Sequence, residues 1–310
     1  MGGAFVQELK RRKCAFAPLS RRDVDYTRFN LFRDHLRASK PDFVINVAGY
    51  TGKPNVDACE LDKAGTLAGN TLLPQTIAQA CEVEKIPWGH VSSGCIYSGA
   101  KINEGGVIRV EKDLTQPALR LLVERQPSAI HGFTEKDTPN FSFRDQPCSF
   151  YSGSKALGEE AIAHLGRGYI WRLRIPFDEM DNPRNYLSKV QRYAKVYDNV
   201  NSISHRADFV KACLDLWETR APHGIYNVTN PGFVTTRQVV ELMEKKLQLK
   251  RRFEFWANDE EFYRVAARTP RSNCVMDTTK LVSCGVKIRP VLEALDESLS
   301  TWKPETAPGR

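Results

Sequence analysis

The chain has 310 residues, 41% hydrophobic and 26% charged, with a net charge of +8. That balance suits one large α/β domain or two modest ones and excludes disorder, collagen or coiled coil as the main organisation. No apolar run is long enough for a membrane span, the N-terminus has no apolar signal core, and the basic residues are dispersed, so the expected partner is an anionic small molecule rather than a membrane or a nucleic acid.

Amphipathic segments alternate with short apolar runs along the chain. Gly2 and Gly3 lead into a helical pattern over Ala4 to Arg12, followed by an expected strand over Lys13 to Leu19. A helix over Phe29 to Ala38 and a strand over Asp42 to Ala48 come next, then a long helix over Cys59 to Glu82 and a strand over Pro87 to Ser92. Residues 99–147 read as a long polar connection with one apolar stretch, Ala118 to Val123. A helix over Ser154 to Leu165, a strand over Tyr169 to Pro176, a helix over Ala207 to Glu218 and a strand over Gly224 to Val228 complete the alternation. Strand, helix, strand at this spacing predicts βαβ units, a doubly wound parallel sheet covered on both faces. Beyond Val228 the pattern loosens. Thr235 or Thr236 caps a helix to Leu247, a basic stretch at 250–252 precedes a Phe/Trp segment, and Val291 to Trp302 is helical. The expected organisation is a Rossmann-like nucleotide-binding domain over 1–176. A smaller substrate lobe over 177–303 follows, with 204–230 returning to the first domain and 304–310 a disordered tail.

A doubly wound nucleotide-binding sheet normally starts with a strand and a Gly-rich turn that sets backbone N–H groups and a helix N-terminus against a pyrophosphate. Gly2 and Gly3 fall where the last glycine of such a turn belongs, so the first strand is expected to be missing, through a misassigned start. The eight cysteines, at 14, 59, 81, 95, 148, 213, 274 and 284, contain no CxxC pair and no clustered His. Neither a metal site nor a disulfide framework is expected, and a reducing cytosol is the expected compartment.

Tyr151 and Lys155 stand four residues apart at the head of a helix and share a face. A lysine ammonium beside a phenol favours the phenolate, and the tyrosine can then exchange a proton with a carbonyl or hydroxyl. A second match, Tyr97 with Lys101, is interrupted by Gly99 and follows a strand, so it shares no helical face. Ser93 closes the strand over 87–92 as a hydroxyl donor, or starts a turn. Asn46, Ala48 and Gly49 end another strand with small residues that admit a cofactor. Asn70 either holds a water in a proton relay or faces solvent. Arg21 and Arg22 follow the expected strand over 13–19, where an Arg accommodates the 2′-phosphate of NADP. The expected cofactor is NADPH, with NADH as the alternative.

The runs Val44 to Glu60, Ser93 to Tyr97, Phe150 to Lys155, Asn182 to Asn185, Gly224 to Gly232 and Thr269 to Asn273 together resemble the extended short-chain dehydrogenase/reductases. The similarity is to the dTDP-4-dehydrorhamnose reductase branch, and most closely to the nucleotide-rhamnose synthase 3,5-epimerase/4-reductases of plants and fungi. The resemblance implies a nucleoside-diphospho-4-keto-6-deoxyglucose as substrate, inverted at carbons 3 and 5 and reduced at carbon 4 with NADPH. It implies Ser93, Tyr151 and Lys155 as the reductase centre and Cys95 with Lys189 as the epimerase acid and base. On their own, Cys95 would read as a small hydrophobe and Lys189 as a surface charge. It further implies Lys53, Asn55, Asp57, Asn185 and Arg271 as substrate contacts, Pro176 at the cofactor and a homodimer. The segment from about 105 to 131 is longer than in the plant relatives. A simple 4-reductase, a nucleotide-sugar 4-epimerase and a non-catalytic subunit of the same fold are the competing readings.

Overall fold

The computed structural model describes residues 1–249 and 251–304. Its first half holds helix α1 (Gly2–Arg11), α2 (Phe29–Ser39), strand β1 (Val44–Asn46), α3 (Ala58–Leu61), α4 (Lys63–Leu67), a π-helical turn (Ala68–Leu72), α5 (Leu73–Val83) and β2 (Trp88–Ser93). The segment that follows holds β3 (Ala100–Glu104), β4 (Val107–Glu111), α6 (Pro117–Arg125) and β5 (Ile130–His131). Then come α7 (Phe150–Ile162), β6 (Gly168–Leu173), β7 (Pro176–Phe177), α8 (Tyr186–Arg192), β8 (Lys195–Val196), β9 (Val200–Asn201), β10 (Ser204–His205), α9 (Arg206–Glu218) and β11 (Gly224–Asn227). The C-terminal part holds β12 (Val234–Thr235), α10 (Thr236–Leu247), β13 (Glu254–Phe255), α11 (Asp259–Val265), α12 (Thr279–Ser283) and α13 (Val291–Ser300).

Strands β1, β2, β6 and β11 form a parallel sheet in that order. The period-two alternation of β6 explains why helices cover both faces. Tyr169 and Trp171 point into a core with Phe5 of α1 and Phe209 of α9. Ile170 points into the opposite core with Phe32 of α2, Ile77 of α5 and Ile162 of α7. The sheet is therefore sandwiched as expected, and α10 starts from a capping box at Thr235 and Gln238.

Three expectations are corrected. Lys13 to Leu19 is irregular, not a strand: β1 is an edge of the sheet among the described residues, and no neighbouring strand completes a ladder for this segment. The helix expected over Cys59 to Glu82 is broken into α3, α4, the π-helical turn and α5. The connection over 99–147 is not featureless: β3 pairs antiparallel with β4 and with β5, over a core that includes Ile102, Leu114, Leu119 and Val123. A further core joins α8, α10 and α13 through Leu187, Val190, Val239, Met243, Leu295 and Leu299. Pro304 aside, the tail at 304–310 lies outside the described residues, as does Lys250 of the basic stretch.

Candidate active site

The carboxyl ends of β1, β2 and β6 meet the N-terminal turn of α7, the place where open parallel sheets bind ligands. Ser149 caps α7 by accepting from the Ser152 N–H at 3.1 Å. This fixes Tyr151 and Lys155 one turn apart, both buried. The Ser93 hydroxyl at the end of β2 lies close enough to the Tyr151 phenol to draw it down, and accepts from the Cys95 backbone N–H at 3.2 Å. Ser93, Tyr151 and Lys155 thus converge as the spacing predicts.

The electrostatics differ from the simple expectation. Burial pushes the Tyr151 phenol up, Cys95 adds to this, and Ser93 and Arg174 oppose it. Burial outweighs the groups that would draw it down, so the phenol is held protonated, the form that donates a proton. Burial lowers Lys155 itself to about 8, against the opposing pull of Glu159 and Cys95.

Lys155 points at bare backbone. A Cβ on Gly49 would lie 3.2 Å from Lys155 Nζ and 3.3 Å from Asn70 Oδ1. Asn70 neither faces solvent nor is left free: its Oδ1 accepts from Tyr50 N–H, and its Nδ2 donates to the Tyr50 carbonyl, both at 2.8 Å. Nδ2 also donates to Ser154 Oγ at 3.1 Å, so the π-helical turn clamps the loop after Gly49 to α7. π-Bulges are frequent at such places. Asn46 turns the chain by accepting from Ala48 N–H at 3.0 Å, while its Nδ2 lies 3.0 Å from His90 Nδ1. His90 is held neutral by burial and by the nearby Lys155 charge.

Gly2 opens α1 and faces Val47, at 3.5 Å from its Cγ2 for a built Cβ; Gly3 has open space. The Met1 amine is lowered by burial and by Arg206 and Arg184. The positive end of α1 therefore lies beside the chain that leaves β1, an arrangement that suits a pyrophosphate, while Arg206, one of the two arginines, is already paired with Asp178. Arg21 and Arg22 sit apart in an exposed turn closed by Ser20 and Asp23, with the Arg21 guanidinium over the Tyr26 ring at 6.0 Å. Pro176 lies in β7, paired with Ser204.

Cys95 is partly exposed, and its Sγ accepts from Arg174 Nη1 at 2.9 Å. Lys189, on α8, is lowered by burial and by Arg184, and has no ion pair among the described residues. Lys53 and Asn55 are exposed in the loop before α3, where Asn55 Oδ1 accepts from Asp57 N–H at 2.8 Å. Asp57 and Arg271, expected to reach separate parts of a substrate, hold each other: Nη1 and Nη2 donate to the two carboxylate oxygens at 2.7 and 2.8 Å. Asn185 caps α8 through its oxygen and gives its amide to Asp178 and Met180, so its polar atoms serve the fold. An open cavity of about 400 Å³ adjoins Arg271, lined by Phe141, Tyr263, Arg268 and Thr269 among others.

Sequence reasoning missed Arg172, Arg174 and Glu159. Two arginines in the run Tyr169 to Pro176, which otherwise reads as a buried strand, were the available signal, because a buried charge needs a partner. Glu159 stands four residues after Lys155, on the same helical face.

Comparison with known proteins places this geometry. The chain is 31% identical over 261 residues to the bifunctional dTDP-4-dehydrorhamnose 3,5-epimerase/dTDP-4-dehydrorhamnose reductase of Arabidopsis thaliana, covering 84% of this chain and 77% of that protein. It is 32% identical over 273 residues to the trifunctional UDP-glucose 4,6-dehydratase/UDP-4-keto-6-deoxy-D-glucose 3,5-epimerase/UDP-4-keto-L-rhamnose-reductase RHM1 of the same plant, covering 88% of this chain but only 36% of that one. The crystal structure of the L780 UDP-rhamnose synthase from Acanthamoeba polyphaga mimivirus superposes with a TM-score of 0.79, covering 97% of this chain and 95% of that one at 21% identity, which speaks to the fold. A dTDP-4-dehydrorhamnose reductase from Bacillus anthracis, solved with NADP, has the same fold at a TM-score of 0.72 and 18% identity, covering 97% of this chain and 94% of that one. The family model described as the RmlD substrate binding domain matches residues 1–303, and the chain belongs to that family.

Proposed function

We propose that the chain is an NADPH-dependent 3,5-epimerase/4-reductase that converts a nucleoside-diphospho-4-keto-6-deoxyglucose into the corresponding nucleoside-diphospho-rhamnose. The observation that carries this reading is the convergence of Ser93, Tyr151 and Lys155 with the Cys95 sulfur at the end of β2, in a chain 31% identical to a bifunctional epimerase/reductase.

The residues present fit the cofactor. A buried ammonium faces the bare backbone of Gly49, and α1 turns its N-terminus toward the chain leaving β1. Lys155, Asn46, Ala48, Gly49, Gly2, Gly3 and Pro176 are assigned to it, with Arg21 and Arg22 as the choice for a 2′-phosphate. Asn70 shapes this site through Tyr50. When bound, NADPH supplies the hydride for carbon 4. Tyr151 donates its phenolic proton to the oxygen at carbon 4, and the Ser93 hydroxyl holds that same oxygen. The Lys155 ammonium lies nearby and favours the negative charge left on the phenol oxygen.

Epimerisation needs one group to remove the acidic proton next to the ketone and another to return it from the opposite face. Cys95 and Lys189 take these parts; burial lowers Lys189 toward the range where an amine exchanges protons. Arg271 is assigned to the diphosphate, through donors freed from Asp57 or left on its remaining edge, and Lys53, Asn55 and Asp57 to the sugar side. In this division residues 1–176 form the dinucleotide-binding domain, which also lends residues to the substrate, and 177–303 mainly the substrate lobe, with 204–230 returning to the first. The eight thiols stay unpaired, which supports a reducing compartment such as the cytosol.

The test is NADPH oxidation with UDP- and dTDP-4-keto-6-deoxyglucose, with the sugar then examined for solvent deuterium. Oxidation with deuterium at carbons 3 and 5 is expected. Oxidation without it would reduce the assignment to a simple 4-reductase, and no oxidation with either substrate would overturn it.

A further inference from the structure

The pairing of β2 with β6 sets Ser93 opposite Leu173, so the residue just after β6, Arg174, arrives beside Gly94 and Cys95. The approach is close: a Cβ on Gly94 would lie 3.4 Å from Arg174 Cδ and 2.2 Å from Met276 Sδ. The arginine is only 2% exposed. Its Nη1 donates to Cys95 Sγ at 2.9 Å, and its Nη2 donates to Asn201 Oδ1 and to the Ser272 carbonyl, each at 2.5 Å. Its Nε finds no acceptor among the described residues.

Every acceptor around this guanidinium is formally neutral, and it has no carboxylate partner among the described residues. A buried cation normally has a counter-ion, because taking a charge out of water without one is costly. Its neighbour Arg172, by contrast, is paired with Glu159. The ionisable groups whose charge Arg174 feels are Cys274, Cys95 and Tyr151. Cys274 is fully buried, burial pushes its thiol up, and its sulfur lies 3.4 Å from the Gly94 carbonyl as a donor. Tyr151 is likewise held protonated by burial. Cys95 alone among the three is partly exposed.

Resting on the epimerase reading of Cys95 above, we infer that Arg174 is the positioning residue of the epimerase step: it supplies the fixed positive charge beside Cys95 Sγ and aims that sulfur at the substrate. In the forward step the Cys95 thiolate takes a proton from the carbon next to the ketone. The C–H electron pair passes into the enolate, and the sulfur becomes a neutral thiol. The second proton comes from the Lys189 ammonium, which becomes an amine. The charged and titratable groups facing the sulfur are Arg174, Lys155, Tyr151 and Cys274.

The test uses the full chain and two readouts. The first is the rate of Cys95 alkylation by iodoacetamide at neutral and at strongly alkaline pH, followed on the Cys95 peptide by mass spectrometry. Arg174→Met is expected to slow alkylation about tenfold or more at neutral pH and to leave the alkaline rate within about twofold. Merely loosened packing would expose the thiol and speed both. The second readout is solvent deuterium at carbons 3 and 5 set against reduction of an already inverted 4-keto sugar. Exchange should fall at least about tenfold more than reduction. Because removing a buried Arg can prevent folding, Asn201→Asp serves as the near-isosteric second variant: it offers the guanidinium a competing carboxylate and should slow alkylation at neutral pH in the same way. Unchanged alkylation at neutral pH in the folded variants, or equal loss of exchange and reduction, overturns the inference. Cys95→Ala separates the two levels. If it leaves exchange intact, the epimerase reading falls and this inference with it; if it abolishes exchange while Arg174→Met and Asn201→Asp do not reduce it, only the inference about Arg174 falls.

Discussion

Glu159 and Arg172 form an ion pair inside the wall between β2 and α7, each side chain 5% exposed or less. Arg172 Nη2 and Nε donate to Glu159 Oε2 at 2.7 and 3.0 Å. Ser92, the residue before Ser93, donates to Glu159 Oε1 at 2.5 Å. Arg172 Nη1 continues to the Tyr97 hydroxyl at 3.0 Å, which donates to the Asp137 carbonyl at 2.7 Å. Tyr97 is thus a structural relay rather than a second catalytic tyrosine. Breaking one side of such a pair leaves a buried charge unmatched, so Glu159→Gln should cost about 3–5 kcal/mol of stability. Urea denaturation would measure it, and the Glu159→Gln, Arg172→Met double variant should lose less than the two single losses added together.

Tyr151→Phe removes the proposed proton donor and leaves the helix and Lys155 in place. Reduction should fall about 10²- to 10⁴-fold. Deuterium exchange at carbons 3 and 5 should survive within about threefold, because it does not need the phenol. Nuclear magnetic resonance of the recovered sugar in deuterated buffer reads both. Equal loss of the two activities would place Tyr151 in substrate binding instead.

Lys155 sets an alkaline limit. Its amine loses the proton as pH rises through about 8. The proposed reduction uses the ammonium, so kcat/KM should fall above about pH 8, by about tenfold for each further unit. The sign follows from burial, which favours the neutral form of a base. An arginine stays charged across this range, so Lys155→Arg should be slower but lose that limb. A limb that persists in the variant belongs to another group.

In the proposed role, the Asp57 and Arg271 pair would bind substrate by reorganising or by presenting its remaining edge. Arg271→Ala should raise KM about 10- to 100-fold with a smaller change in kcat, the cost of one charge-assisted contact. Steady-state kinetics over a range of salt would check it, since the KM difference should shrink as ionic strength screens the anion.

The legible parts of the molecule are those where local pattern and tertiary demand agree. The runs at 88–93, 168–173 and 224–227 are buried on both faces, and their sequences carry that directly. Tyr151 and Lys155 follow from helical spacing. Lys13 to Leu19 has the composition of a strand, yet a strand exists only where a neighbour accepts its ladder, and composition does not reveal neighbours. In the 99–147 segment polarity hid a hairpin whose signal was present: Gly105 and Gly106 take φ of 60° and 89° between β3 and β4. Asn70 could not be read because its partners, Tyr50 and Ser154, are 20 and 84 positions away. Asp57 and Arg271 each stood out in the sequence, but their mutual contact, 214 positions apart, did not.

The stretch from Thr269 to Met276 threads through all of this. Thr269 meets Glu60, Arg271 meets Asp57, the Ser272 carbonyl meets Arg174, Cys274 bridges to Gly99, and Met276 N–H donates to Ser202 Oγ. A nascent chain leaving the ribosome can therefore assemble its parallel sheet early, but it holds an unclosed cleft until these eight residues emerge. During that interval Arg174 lacks one of its acceptors and the loop before α3 lacks its clasp. The last step of closing this cleft therefore falls late in synthesis, when most of the fold already exists.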